Sequence, residues 1–408
     1  MKVLVLAGGI PQIELLKQLK DRGVITVLAD GSPNAVARPY ADIFYHVDIF
    51  DVLAIKEVAI KEKVDFLITV CADQVLLVVA EVSEMLGLPC YIDYKTGIDV
   101  SNKIHMKRIF KENGIPTTDY LEISYLNLDR ISHLHYPLVV KPVDAYSSKG
   151  VRKAENEDEL KQYYEEAKHI SRRGGVIVEE FFQGDEISVD AFVVNGKAKV
   201  LTVTNSEKIK YNDRFVIFRG RYPAAASDAL LNKIDDIAQK IADGFNLVNS
   251  PLLIQLLHNK DNISVLEFCA RTGGNMKWLL IKYSCGVDVI TATIDITLGK
   301  EPALELKDTG HKIVVNDFIY CYPGVFDHFE GVGEMINQGV INEFYPVRMK
   351  GTKIYGVTSS SDRIAGMNIV ADSINDFNEK HRKILESVKV VDIEGHDLMR
   401  REFLPGLC

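Results

Sequence analysis

The segment V-L-E-F-C-A-R-T-G-G-N, residues 265–275, is the most informative part of the sequence. Alternate side chains of a strand share a face, so Glu267, Cys269 and Arg271 are predicted to point to one side and their apolar neighbours to the other. The small residues 272–274 then end the strand and permit a tight turn or the close approach of a ligand. A carboxylate beside an arginine is the layout of a metal-and-phosphate site. The segment alone leaves a second interpretation open, an edge strand whose Glu267 and Arg271 pair in water.

Length and composition indicate a globular protein of roughly two to four compact units. The chain has 408 residues, of which 47% are hydrophobic and 26% charged, and no apolar run is long and charge-free enough to span a bilayer. The N-terminal M-K-V-L-V-L-A-G-G is predicted to be a strand and not a signal peptide. We therefore expect a cytoplasmic protein without a membrane partner, in keeping with six scattered cysteines that form no C-x-x-C pair. The net charge of -9 argues against nonspecific nucleic-acid binding.

The first third of the sequence alternates between apolar strands and amphipathic helices, which predicts a parallel, doubly wound sheet. The turn at Gly8 and Gly9 does not continue into the dinucleotide fingerprint G-x-G-x-x-G, because Ile10 and Ile13 stand where glycines are needed. NAD or FAD binding is therefore not expected. The predicted elements, alternately strand and helix, are residues 2–6, 10–22, 24–29, 52–62, 66–70, 74–86 and 89–92.

Lysines recur at the edges of the next predicted elements. Ser101 is predicted to cap a basic helix that carries Lys103 and Lys107 on one face, one turn apart. A strand then ends at Lys141, before a loop of small and polar residues, 144–150, that can lay backbone N–H groups against phosphate oxygens. Taken alone, a solvated basic helix face explains Lys103 and Lys107 better, and a surface side chain that extends into solvent is the alternative for Lys141.

Two apolar strands joined by F-Q-G-D form a predicted hairpin at residues 176–193. A hairpin does not require its three closely spaced carboxylates, Glu179, Glu180 and Glu186. Apolar walls with a carboxylate at the mouth suit a nucleotide, because adenine packs on apolar faces and ribose hydroxyls need an acceptor. For any one of these glutamates, a solvated charge on the hairpin stays open as an explanation.

In order and approximate spacing, these elements resemble the ATP-grasp superfamily. The resemblance rests on the helix with Lys103, the strand and loop from Lys141 to Gly150, the E-E-F-F-x-G-x-E segment, and L-I-Q-L-L followed by L-E-F-C-A-R-T-G-G. Residues 1–95 look like the domain that precedes ATP-grasp in purine-biosynthetic ligases, such as phosphoribosylglycinamide synthetase, and in one half of carbamoyl phosphate synthetase.

The resemblance implies a multidomain chain of the α/β and α+β classes. A Rossmann-like, doubly wound parallel-sheet domain would cover residues 1–95. An ATP-grasp domain would cover residues 96–300, with a mobile lid at roughly 117–183. A C-terminal α+β subdomain, residues 301–408, would pack on the ATP-grasp core.

The resemblance also assigns roles around ATP. Lys141 and Arg271 are implied to be catalytic, because they would steady the transferred phosphoryl group, while closure of the lid would exclude water. The residues implied to bind the nucleotide are Lys103, Lys107 and Lys141 at its phosphates, Ser147, Ser148 and Gly150 in the closing loop, Glu179, Glu180, Phe181 and Phe182 at adenine, and Glu186 at the ribose.

The implied magnesium ligands are Gln255 and Glu267, which also belong to the ATP site, and two positions depart from the usual pattern. Gln255 stands where many members have a carboxylate, although glutamine occurs there in the carbamoyl phosphate synthetase branch and its carbonyl oxygen can bind magnesium. Cys269 occupies a metal-ligand position where asparagine is usual, and a thiol is a poor ligand for a hard cation. The implied cofactors are therefore ATP and one or two magnesium ions.

The implied activity is ATP-dependent ligation of a small-molecule carboxylate to an amine through an acyl phosphate, with release of ADP and phosphate. Two alternatives stay open: activation of bicarbonate or carbamate, as in carbamoyl phosphate synthetase, and a nucleotide-binding protein that catalyses no reaction. Further candidates for the substrate end are residues 275–277, Arg363 and the basic segment 204–223. The alternatives are a surface residue that opens the next helix for Lys277, a plain turn for Arg363 and a solvated loop for the basic segment. A homodimer is one possible assembly.

Overall fold

In a computed structural model of the chain, all residues are described except 144–149, 172–173, 212–213, 275 and 408. The strands are β1 (Lys2–Leu6), β2 (Ile25–Asp30), β3 (Ile43–His46), β4 (Phe66–Ile68), β5 (Tyr120–Ile123), β6 (Leu138–Pro142), β7 (Arg152–Ala154), β8 (Val176–Glu180), β9 (Asp185–Val194), β10 (Lys197–Tyr211), β11 (Arg214–Tyr222), β12 (Ser250–Asn259), β13 (Asn262–Cys269), β14 (Ile313–Ile319), β15 (Gly324–Glu330), β16 (Glu343–Pro346), β17 (Lys353–Ile354), β18 (Ala365–Ala371) and β19 (Lys389–Asp392). The α-helices are α1 (Ile10–Asp21), α2 (Val52–Glu62), α3 (Asp73–Leu86), α4 (Tyr94–Ser101), α5 (Lys103–Glu112), α6 (Leu128–Ile131), α7 (Glu157–Ile170), α8 (Asp228–Gly244), α9 (Lys277–Cys285), α10 (Val289–Thr297), α11 (Val332–Asn337) and α12 (Ile374–Ser387). Among the described residues, none of these helices combines the length and the apolar character needed to cross a membrane.

The N-terminal sheet is parallel, with the strand order β3-β2-β1-β4. Val3 and Val5 of β1 pack in the same core as α1, whereas Leu4 and Leu6 pack with α2 and α3. Burial on both faces explains why the strands of this sheet are nearly continuous apolar runs. The predicted doubly wound parallel sheet is confirmed.

Two details of this region differ from the prediction. Residues 43–46 form β3 beside β2, in a stretch for which no element was predicted. Residues 89–92 do not form the predicted strand; they connect α3 to α4, whose N-cap Asp93 accepts a backbone hydrogen bond of the first turn at 2.6 Å. The hydroxyl of Tyr91 donates to the carbonyl of Ala270 at 3.0 Å. This short segment therefore packs against the central sheet and does not extend the N-terminal one.

The central sheet has eight strands in the order β13-β12-β9-β10-β11-β14-β18-β16, and its neighbouring strands are antiparallel. On one face, Ile187, Val189 and Ala191 of β9 share a core with α8. The alternate residues Ser188 and Asp190 point to the other face. The sheet thus has an apolar face that is covered by a helix and an opposite face that carries polar groups.

A separate antiparallel sheet, with the order β5-β8-β6-β7, lies inside the predicted lid segment 117–183. Helix α7 shares its core, through Leu160 and Tyr164 among others. The basic segment 204–223 is not a loop, because most of it forms the paired strands β10 and β11. The strands β14, β16 and β18 extend the central sheet, and β17-β15-β19 form a small sheet beside it.

Candidate functional site

Lys103 and Lys107 reach the site from α5. The N-cap of this helix is Asn102, whose side-chain oxygen accepts hydrogen bonds from two backbone N–H groups of the first turn at 2.9 and 3.3 Å. The prediction that Ser101 is the N-cap is wrong. Ser101 ends α4, and its hydroxyl donates to a carbonyl of that helix at 2.6 Å. The one-residue difference makes Lys103 the first residue of α5, one turn before Lys107.

A row of polar residues crosses the open face of the central sheet. Glu267 lies directly opposite Gln255, Gln255 lies opposite Ser188, and Ser188 lies opposite Thr204. Because directly paired residues point to the same side of a sheet, all four share one face. Neighbouring strands are about 4.8 Å apart, so the row is about 14 Å long from β13 to β10. We call these four residues the polar row.

A cavity of about 420 Å³ lies over the polar row. The three residues of segment 265–275 that were predicted to share a face all line it. The start of α3 and residues near Ser360 close other parts of the wall. The predicted site residues that line this cavity are Lys103, Gln255, Glu267, Cys269 and Arg271.

The β12–β13 end of the polar row offers oxygen ligands to a cation. Lys103 forms an ion pair with Glu267. Burial raises the pKa of Glu267, but the charges of Lys103 and then Lys141 outweigh it, so this pKa lies below its ordinary value. The ionised carboxylate and the amide oxygen of Gln255 are donors of the kind that magnesium binds. In contrast, burial raises the pKa of the Cys269 thiol well above its ordinary value, so the thiol stays protonated and is a poor ligand for magnesium.

Arg271 is held from the N-terminal unit by Asp73, a residue that the sequence analysis did not single out. The Nε and Nη2 atoms of Arg271 donate to the two carboxylate oxygens of Asp73 at 2.5 and 2.6 Å. Burial raises the pKa of Asp73, but the guanidinium outweighs it and holds this pKa below its ordinary value. Two parallel hydrogen bonds fix the plane of the guanidinium. The position of Asp73 after β4, where parallel α/β sheets bind ligands, is the signal that could have found it.

A second buried cluster consists of Lys107, Lys141 and Glu179. The carboxylate oxygens of Glu179 lie 2.6 Å from Lys107 Nζ and 2.5 Å from Lys141 Nζ. Burial raises the pKa of Glu179, but the two ammonium groups outweigh it and hold this pKa at about 2. Burial also lowers the pKa of Lys107 to about 8, although Glu179 opposes this change. The cluster lies outside the lining of the cavity, and two lysines around one carboxylate suit the phosphates of a nucleotide.

The segment 179–182, predicted to meet adenine, ends β8 and begins the turn to β9. The carboxylate of Glu180 accepts a hydrogen bond from the backbone N–H of His135 at 3.0 Å and lies 2.8 Å from the ring Nδ1 of the same histidine. Gly184 is required in the turn, because a Cβ atom there would lie 2.4 Å from a backbone oxygen of β12. This short turn connects β8 of the separate four-stranded sheet to β9 of the central sheet.

Glu186, predicted to bind the ribose, lies beside the polar row. It forms an ion pair with Lys208 and accepts a hydrogen bond from Gln255 Nε2 at 3.4 Å. This bond uses the amide nitrogen of Gln255 and leaves its carbonyl oxygen for a cation. Gly150 has a φ of +75°, which favours glycine. Ser147, Ser148 and Asn275 lie outside the described residues.

Two further cations, Lys277 and Arg363, also line the cavity. Lys277 is the first residue of α9 and is only 4% exposed, so it is not a surface residue. Its ammonium donates to Thr204 of the polar row and lies 3.4 Å from Asp190 Oδ2. Arg363 donates from Nε to a backbone carbonyl at 2.6 Å, and its guanidinium lies 4.0 Å from the ring centre of Phe318.

Part of the sequence is similar to proteins of known family. Residues 134–278 match the family model of the ATP-grasp domain. A carbamoyl-phosphate synthase of Methanobrevibacter smithii is 22% identical over 298 residues, which cover 71% of this chain and 79% of that protein. Three other relatives are much longer, and the chain spans 28%, 16% and 21% of their lengths.

Solved structures are similar over almost the whole chain. A phosphoribosylglycinamide synthetase from Anaerococcus prevotii has a TM-score of 0.77 and 18% identity, with 96% of this chain and 99% of that chain covered. An L-amino acid ligase from Bacillus licheniformis has a TM-score of 0.79 and 18% identity, with 96% and 98% covered. The fold of this chain is therefore that of ATP-grasp proteins. The resemblance to ATP-grasp proteins, which the order of the sequence elements predicted, is confirmed by the match over residues 134–278.

Proposed function

We propose that the protein is an ADP-forming ligase that activates a small-molecule carboxylate with ATP and joins it to an amine. The observation that carries the proposal is that one cavity brings together Glu267, Gln255, Lys103 and Arg271. Attack of a carboxylate on a phosphate joins two anions, so it requires cations that are already in place around the reacting oxygens. The names of the two structural neighbours, a synthetase and a ligase, support the same class of reaction.

The reaction consists of two displacements. A carboxylate oxygen of the acid attacks the γ-phosphorus of ATP, the bond from this phosphorus to the bridging oxygen breaks, and ADP leaves. The amine nitrogen then attacks the acyl carbon of the resulting acyl phosphate, inorganic phosphate leaves, and the amine loses a proton. No bond between substrate and protein forms in either step.

The charged groups of the site would have different roles in this reaction. Lys107 and Lys141, held by Glu179, would bind the phosphates of ATP. Magnesium, held by Glu267 and Gln255, would supply further positive charge at these phosphates. Arg271, whose guanidinium plane is fixed by Asp73, would bind the transferred phosphoryl group. Because these groups are held in position before the substrate binds, they need little reorganisation during the reaction.

Hydroxylamine offers a test that does not require the amine substrate to be known, because it converts an acyl phosphate into a stable hydroxamate. The protein is incubated with ATP, magnesium, hydroxylamine and one carboxylate at a time, and both ADP and hydroxamate are measured. We expect a subset of acids to yield equal amounts of the two products. Lys141→Ala should lower both by about 100-fold or more. Lys161→Ala, on the exposed surface of α7, is the matched control and should leave both unchanged.

The alternatives give different products in the same assay. Release of ADP that depends on bicarbonate alone, without hydroxamate from any other acid, would favour bicarbonate activation. Binding of ATP without release of ADP for every acid would indicate a nucleotide-binding protein. Either result would overturn the proposed ligase.

A further inference from the structure

Lys103 is a cation at the end of a helix where an anion would be more stable. It is the first residue of α5, and the side chain of Asn102 caps the helix just before it. The first turn of a helix carries the positive end of its dipole, so a lysine there is destabilising unless an anion lies close. Glu267 of β13 is such an anion, because its carboxylate forms an ion pair with the Lys103 ammonium at the cavity. The stability of α5 alone gives no reason for a lysine at this position, whereas the site does.

Glu267 has two possible cationic partners, the Lys103 ammonium and the magnesium ion that it would hold together with Gln255. An ammonium and a magnesium ion that share one carboxylate lie only about 4–5 Å apart. At this distance they repel each other strongly in a partly buried site. The Lys103–Glu267 pair has no net charge and Gln255 adds none, so these groups attract a free divalent cation only weakly.

The phosphates of ATP offer Lys103 a second anionic partner. A lysine ammonium is a point charge on a flexible stem, so it can move from a carboxylate to a phosphate oxygen within the same cavity. Once Lys103 has moved, Glu267 is an unpaired carboxylate beside the phosphates, which is the environment in which proteins bind magnesium. Arg271 differs in this respect, because two hydrogen bonds to Asp73 fix its guanidinium.

We propose that Lys103 exchanges partners during binding: it neutralises Glu267 until ATP enters the cavity, and its ammonium then moves to the phosphates and frees Glu267 for magnesium. The exchange rests on the proposed function in one respect, that ATP binds in this cavity. It adds an order to the binding steps, because the protein holds the cation well only after the nucleotide has bound. It also shields the incoming phosphates from the charge of Glu267.

The first test measures cation binding without nucleotide. Mn²⁺ serves as the probe, because its binding can be followed by electron paramagnetic resonance. We expect Lys103→Met to bind one Mn²⁺ at least about 10-fold more tightly than the unmodified protein does. Adding Glu267→Gln to Lys103→Met should abolish this gain. Lys111→Met, which changes an exposed lysine on the same helix, is the matched control and should leave Mn²⁺ binding unchanged.

The second test measures binding of ATP in the presence of EDTA, without any divalent cation. Glu267→Gln releases Lys103 for the phosphates, so this variant should bind ATP about 3- to 10-fold more tightly than the unmodified protein. Removal of a negative charge would by itself favour ATP in any background. The same substitution is therefore repeated in Lys103→Met, where we expect a gain of about 2-fold or less.

Equal Mn²⁺ affinities of Lys103→Met and the unmodified protein would overturn the exchange. Equal gains in ATP affinity from Glu267→Gln in the two backgrounds would do the same. A folding defect is excluded by Lys103→Met itself, because a gain in Mn²⁺ affinity requires a folded site. Neither test uses an acid, so the exchange can fail while hydroxamate still forms. Absence of hydroxamate with every acid, with both binding results as expected, would overturn the proposed ligase and leave the exchange in place.

Discussion

Each face of the central sheet carries an arginine–aspartate pair, and the two pairs have nearly the same geometry. On the open face, Arg271 Nε and Nη2 lie 2.5 and 2.6 Å from the oxygens of Asp73. On the opposite face, the same atoms of Arg219 lie 2.5 and 2.9 Å from the oxygens of Asp317. What differs is the surroundings, because the first pair lines a cavity of about 420 Å³ and the second pair is 0% exposed.

The enclosed pair is part of a continuous structural cluster. Arg219 and Asp317 lie directly opposite each other on neighbouring strands, β11 and β14. Helix α12 covers them with His381, whose Nε2 lies 3.4 Å from Arg219 Nη2, and with Phe377, whose ring centre lies 5.0 Å from the guanidinium. Burial lowers the pKa of His381, although Asp317 opposes this change.

The open pair joins different parts of the chain, because Asp73 begins α3 of the N-terminal unit and Arg271 follows β13. The geometry of an arginine–aspartate pair therefore does not by itself identify a functional site. The functional pair is distinguished by the cavity beside it and by partners that come from different parts of the chain.

The largest expected effect is on the enclosed face. Asp317→Asn removes the bidentate partner of the buried Arg219 and leaves it only Glu207, whose Oε2 lies 3.6 Å from Arg219 Nη1. We expect the free energy of unfolding to fall by about 3–5 kcal/mol. Chemical denaturation measures this change. The kcat/KM of the folded protein for hydroxamate formation should stay unchanged, because Asp317 lies on the face of the sheet away from the cavity. A loss of activity at unchanged stability would contradict the assignment of this face to structure.

The reverse pattern is expected on the open face. Glu267→Gln removes a cation ligand and the partner of Lys103, so kcat/KM should fall about 10²- to 10³-fold, or about 2.7–4 kcal/mol. The free energy of unfolding should change by only about 1 kcal/mol or less, because the side chain of Glu267 is 33% exposed and its partner can be hydrated. Asp317→Asn is the matched control. Full activity of Glu267→Gln would remove the basis for the proposed site.

Local pattern was enough to predict one part of this comparison. Strand alternation predicted that Glu267, Cys269 and Arg271 share a face, and all three line the cavity. The partners Asp73 and Asp190 could not be predicted in the same way. Each meets its cation through a contact between segments far apart in sequence, Asp73 from the start of α3 and Asp190 from β9, and no local pattern specifies such contacts.

The errors in the predicted fold have a similar origin. Residues 89–92 have the apolar character of a strand, but a run this short cannot be told from a connection by sequence pattern alone. The strand β3, residues 43–46, was missed because its side chains are only partly buried and show no clear alternation. The sequence predicts Ser101 as the N-cap of α5, whereas the N-cap is Asn102. Where two residues that can cap a helix are adjacent, sequence alone does not determine which of them does.

The cluster of Glu179, Lys107 and Lys141 is buried like the Arg219–Asp317 pair, but its lysines are proposed to bind ATP. The pKa of Glu179 is about 2 in the folded protein, against 4.5 for an unperturbed glutamate, because the charges of Lys141 and Lys107 outweigh burial. A lowered folded-state pKa stabilises the protein fully above the unfolded pKa, and this stabilisation is lost as the pH falls towards 2. Between pH 5 and pH 3 we expect a loss of roughly 2 kcal/mol from this group.

Glu179→Gln separates this loss from that of other carboxylates. Denaturation at several pH values between 5 and 3 should show a shallower decrease for the variant than for the unmodified protein. Parallel curves for the two proteins would mean that Glu179 is not held between the two lysines in solution.

The smallest expected effect concerns the thiol on the open face. Cys269→Asn places an amide oxygen two residues from Glu267 on the same side of the strand, where magnesium prefers a hard oxygen ligand. We expect the magnesium concentration for half-maximal hydroxamate formation to fall about 3- to 10-fold, or about 1 kcal/mol. Cys269→Ala, which removes the sulfur without adding an oxygen, should leave the magnesium curve unchanged. Equal curves for the asparagine and alanine variants would show that position 269 does not contact the cation, and Glu267 with Gln255 would then be its complete set of protein ligands on this face.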